Sequence, residues 1–89
     1  MRYALRNQDK IAAKLGEDYL REHILASLKA FFASITEEKM EDFIDWYDGD
    51  KFYRLRVNDV ADKDAMQEFY IIGRDYDVYK LAYIGRVKG

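Results

Sequence analysis

The chain of 89 residues contains no cysteine and no proline, a single histidine and a single tryptophan, and only five glycines. The missing cysteine excludes disulfides, thiol nucleophiles and cysteine-ligated zinc. Zinc would have to rely on His23 and carboxylates alone. A nucleophilic triad has only that one histidine to draw on, and its neighbour along the helix, Ser27, comes without a third member. None of the glycines forms a phosphate-cradling loop between a strand and a helix. No cofactor, metal site or catalytic residue is therefore expected, and the chain reads as a non-enzyme. No apolar run approaches the ~18 residues of a membrane span. The opening stretch, with Asp9, Lys10 and Lys14, also lacks the apolar core of a secretory signal. The expectation is cytoplasmic residence without a membrane partner.

What is present is core material. Hydrophobic residues make up 49% and aromatics 16%, with eight tyrosines among them, far from a disordered composition. A chain of this length supports one domain of modest stability. The net charge of -2 is too near neutral to mark a nucleic-acid or anionic-membrane binder. The charge is uneven, however. Residues 1–35 carry six basic and four acidic groups, 36–50 one and seven, and 51–89 eight and six. The acidic 36–50 segment is either a charged edge that blocks stray strand pairing or a surface for a basic partner.

The strongest local signal is Asp48-Gly49 between two alternating runs, the mark of a tight β-hairpin. A two-residue turn there pairs 47 with 50, 46 with 51, 44 with 53 and 41 with 56. Ile44, Trp46, Tyr53, Leu55 and Val57 then share one face. Glu41, Phe43, Asp45, Tyr47, Phe52, Arg54 and Arg56 share the other, with Glu41 opposite Arg56. Residues 36–47 also carry helical spacing in Met40, Phe43, Ile44 and Tyr47 behind Thr36. The strand is preferred over 41–47 because a helix would end against its dipole in Asp45, Asp48 and Asp50.

Upstream, Asn7 as N-cap, Ile11 with Leu15, and Gly16 as terminator predict a helix over 8–15. Leu20, Ile24, Leu28, Phe31 and Ile35, widened by Leu25 and Phe32, predict a second over 17–33. Downstream, strands are predicted over 51–59, 67–74 and 77–85, with a polar loop at 60–66. The fold expected is α+β: two helices packed on one face of a four-stranded antiparallel meander.

Within residues 8–25, Ile11, Ala12, Leu15 and Gly16 form an "IAxxLG" segment that resembles the helix-turn-helix of bacterial DNA-binding regulators. The resemblance implies DNA recognition by the second helix. Glu17 and Glu22 stand where that pattern is usually apolar, and Asp18 and Glu22 would meet phosphate. A nucleic-acid-binding domain, through this element or through Arg54, Arg56 and the tyrosines of the sheet, is the alternative reading, and an enzyme the third. Asp42, Asp45, Asp48 and Asp50 lack the spacing of a calcium loop. The function expected is binding of a protein partner, or of a second copy as a homodimer, by the open face or edge of the first hairpin. The candidate partner-binding residues are Phe43, Tyr47, Phe52, Arg54 and Arg56.

Overall fold

The computed structural model describes residues 2–47, 49–59 and 61–88, with Tyr47 described in its backbone alone. Strand β1 (Arg2–Leu5) leads into helix α1 (Gln8–Leu15). Gly16, at φ +95°, ends α1 and donates its N–H to the Ala12 carbonyl, so a new helix, α2, starts at once and runs over 17–34. A short α3 (Glu37–Met40) tightens into a 3-10 turn at Glu41–Phe43. Strands β2 (Ile44–Tyr47), β3 (Asp50–Asn58), β4 (Ala65–Asp75) and β5 (Val78–Lys88) complete the chain.

The class is α+β, as expected, but the sheet is larger and mixed. Its order is β1-β5-β4-β3-β2 among the described residues, antiparallel throughout except that β1 lies parallel to β5, Tyr3 beside Tyr79 and Leu5 beside Leu81. The expected meander of four strands lacked β1, which is too short to show a period of its own. Three helical segments rather than two cover one face of the sheet. Asn7 explains how so short a strand is held. It is not the side-chain cap of α1 that its position suggested. Its amide instead donates to the Tyr83 carbonyl oxygen at 2.8 Å and accepts from the Tyr83 N–H at 2.7 Å, continuing the pairing of β1 with β5 by one side chain.

The core lies between helices and sheet. Leu20, Ile24, Leu28 and Phe32 line the buried side of α2, with Ile11, Ile35 and Met40 beside them. Opposite stand Leu55, Val57, Phe69, Ile71, Tyr79 and Leu81. Phe32, not Phe31, takes the fully buried place, reversing the sequence expectation. The cause is local. In an α-helix each step of four residues overshoots the turn by about 40°, so a run of such steps should drift off the core. Leu20–Leu25 are π-helical, and the wider π turn rotates less per residue, offsetting part of that drift. Phe32 then stacks between Tyr3 and Tyr79, at 5.0 and 5.8 Å between ring centres. The Tyr3 hydroxyl donates to the Leu25 carbonyl at 2.8 Å, tying β1 to the end of the π segment.

The hairpin register stands as expected where it is described: Ile44 opposite Tyr53, Asp45 opposite Phe52, Trp46 opposite Lys51 and Tyr47 opposite Asp50. Asp48 lies outside the described residues, and Gly49 sits at φ +85°. Upstream of Ile44 the expectation fails. Residues 37–43 are helical, because the Thr36 hydroxyl accepts from the Lys39 N–H and Glu37 and Glu38 sit at the favourable end of the dipole. The Glu41–Arg56 cross-strand pair therefore does not form. Glu41 accepts from the Tyr53 hydroxyl at 3.2 Å and pairs with Lys51 at 3.5 Å. Arg56 lies 3.8 Å from Glu68 of β4 instead.

Candidate functional site

Because β2 is only four residues long and pairs with Asp50–Tyr53, the rest of the outer edge of β3, Arg54 to Asn58, has no strand beside it among the described residues. A free edge presents backbone donors and acceptors in a row. Two depressions flank it. Towards the helices, a cavity of about 520 Å³ is lined by Ser27, Ala30, Phe31 and Ser34 of α2 and by Arg56, Val57 and Asn58 of β3. On the other side of the sheet, a cavity of about 300 Å³ is lined by Asp42, Phe43, Asp45, Arg54, Arg56 and Met66. Arg56 borders both.

Three of the five sequence-predicted residues thus meet here. Phe43 departs from the strand face expected for it, because it sits in the 3-10 turn at the sheet edge. Its ring meets that of Phe31 edge-on at 5.5 Å, and the residue is 39% exposed. Arg54 pairs with Asp45 at 2.7 Å. Phe52 stands apart from this group, its ring 4.7 Å from that of Tyr70 on the sheet face away from the helices. The side chain of Tyr47 lies outside the described residues. Trp46 is 70% exposed on the hairpin, beyond the cover of the helices. Both arginines that suggested phosphate contacts are held by carboxylates, Asp45 for Arg54 and Glu68 for Arg56.

The sequence reasoning missed a polar cluster at the far end of β3. The Asp59 carboxylate is fully buried and accepts four hydrogen bonds. One oxygen takes the Ala61 N–H at 2.8 Å and the Tyr19 hydroxyl at 3.1 Å, and the other takes Gln67 Nε2 at 2.7 Å and Arg86 Nε at 2.5 Å. Gln67 in turn accepts from the Tyr83 hydroxyl at 2.6 Å. Burial pushes the Asp59 carboxyl up, but the Ala61 amide, the Tyr19 hydroxyl and the Arg86 charge together hold it below its ordinary value. Asp59 raises Arg86 in return. Burial, then the neighbouring Tyr19, raises the Tyr83 phenol. Tyr19 also rests against the His23 ring at 5.1 Å. The only trace of this cluster in the sequence is local, an Asp two residues before an amide it can cap. With all four of its acceptor positions engaged inside the protein, the carboxylate is occupied as a clamp between α2, β4 and β5.

Among the described residues no group of three or more histidine, aspartate or glutamate side chains is placed to hold a metal ion. No helix is long and apolar enough to cross a membrane. The fold and the free edge define a small α+β domain with an open, partly covered sheet margin. No family model, curated protein or solved structure matches the chain.

Proposed function

We propose that this chain is a non-enzymatic protein-interaction domain that accepts an extended segment of a partner as an added strand along Arg54–Asn58 of β3. The observation that carries this reading is the unpaired edge between two depressions. An added strand alternates its side chains between the two faces of the sheet. Its backbone would complete the ladder, one set of side chains would enter the cavity beside α2, and the other would enter the cavity beside Phe43. The partner is a different chain rather than a second copy. Two copies paired antiparallel over the whole of this edge would set Arg56 of one directly opposite Arg56 of the other, and like charges directly opposite are destabilising. A five-residue edge supports a small contact, with affinity of about micromolar order. The carboxylate-paired state of Arg54 and Arg56 favours protein over nucleic acid as the occupant.

The test is selection of binding peptides from a random displayed library, followed by amide-shift mapping of the best binders. Shifts centred on residues 54–58 and on the residues lining the two cavities, 27–34 on one side and 42–45 with Met66 on the other, support the proposal. Binders that map elsewhere, or whose affinity falls steeply with salt, sink it.

A further inference from the structure

We propose that the opposite margin of the sheet holds a binding site for a small amphipathic anion, a carboxylate or phosphate on an apolar chain. Arg21, Arg54, Arg56, Arg74 and Arg86 each have a carboxylate within 3.8 Å. Arg2 and Arg6 have none among the described residues. Both belong to the β1 margin, separated by Ala4 and its two neighbours, and Ala4 is in register with Lys80 of β5. An arginine fork is built for planar oxyanions, and here its partner is missing.

A receptacle adjoins Arg6 and Lys80, while Arg2 borders a separate depression beside Tyr3 and Phe32. Ala4, Leu5, Arg6, Ile72 and Lys80 line a cavity of about 340 Å³, within the size range of small-ligand sites. Its apolar wall depends on an irregularity in β4. The β4–β5 register slips between Ile71 and Gly73, which leaves Ile72 as an extra residue and 46% exposed. A bulge of this kind re-aims a side chain, and this one borders the cavity. Arg6 and Lys80 also line it, and long cationic side chains of this kind lay their aliphatic stems on apolar surface and keep their charged ends in water. An uncharged apolar molecule would leave those cations unanswered, and a free inorganic anion would leave Ile72 and Ala4 unused. A molecule with both features answers both.

The site lies on the opposite side of the sheet from the β3 edge and is independent of the function proposed above. It is tested by amide-shift titration of the whole chain with three probes: hexanoate, hexyl phosphate and hexanol. At least one anion should give saturable shifts centred on residues 4–6, 72 and 80, at a concentration about tenfold or more below that needed for hexanol. Whichever anion is tighter identifies the head group. The double variant Arg6→Gln, Lys80→Gln, checked for an unchanged melting profile, should weaken the anion about tenfold and leave hexanol as it was. Equal response to hexanol, shifts scattered over the surface, or indifference to the double variant would overturn the proposal. So would salt-sensitive binding of oligothymidylate at Arg2, Arg6 and Lys80 without a response to hexyl phosphate, which would assign these cations to a nucleic-acid backbone.

Discussion

Asp59→Ala removes four acceptor contacts at once, and the structure allows each to be weighed. Ala61 is an exposed residue whose part-buried N–H can turn to water, so its loss costs little. Arg86 is nearly half exposed, and solvent takes over most of what the carboxylate supplied. Gln67 is different. It is 1% exposed, and its Nε2 would be left without a partner, at about 1–3 kcal/mol. Tyr19 and the vacated space add a smaller amount. The expected loss is about 3 kcal/mol, equivalent to a fall of about 12–24 °C in Tm for a domain of this size. Asp59→Asn should cost less, because the Gln67 amide can turn to meet it. The pH dependence carries the sign. The folded carboxyl titrates below its unfolded value, so its contribution is complete above the ordinary Asp pKa and drains away as pH falls through the folded one. Urea melts of both proteins from pH 7 downward should therefore show the gap between wild type and Asp59→Ala narrowing below about pH 4. A loss under about 1 kcal/mol at pH 7, or a gap that widens in acid, would refute the assignment of Asp59 as a buried clamp.

Asn7→Ala should cost about 1–2 kcal/mol in urea melts, since two hydrogen bonds to the Tyr83 backbone go together. Hydrogen exchange should then rise at β1 before it rises at β4. Phe69→Ala empties the centre of the sheet, where the side chain is wholly buried and against Tyr83, and should cost about 3–5 kcal/mol. That approaches the entire stability of a small domain. Circular dichroism at 37 °C should find the variant largely unfolded.

How much of this was legible in the sequence follows from the range of the interactions involved. The hairpin from Ile44 to Tyr53 was readable because its register depends on the turn and on residues a few positions apart. The buried side of α2 was readable except for the choice between Phe31 and Phe32, which turns on a π segment that leaves no compositional mark. The dipole argument against a helix running into Asp45 was sound, but it applied to a helix longer than the real one. The helical stretch stops at Phe43, before those acids, and the strand does not reach back over it. The β1–β5 pairing and the Asn7 bridge join residues 76 apart, and the Asp59 cluster joins α2 to β5. No local pattern announces contacts of that span. Of the candidate residues, Phe43, Arg54 and Arg56 line one depression, Phe43 reaching it from the 3-10 turn and not from the strand expected for it, while the free edge they border follows from the shortness of β2.

The central claim, that the β3 edge takes an added strand, is tested most directly by filling the cavity beside it. Ala30 is exposed on α2 and lines that cavity, and arginine is a good helix former, so Ala30→Arg should leave stability within about 0.5 kcal/mol. The measurement is the affinity of library-selected peptides for wild type and for this variant. Strand addition predicts that binding falls at least about tenfold, about 1.4 kcal/mol, and that peptide slows hydrogen exchange at Arg54–Asn58 in the wild type alone. Unchanged affinity in a folded Ala30→Arg variant would contradict it.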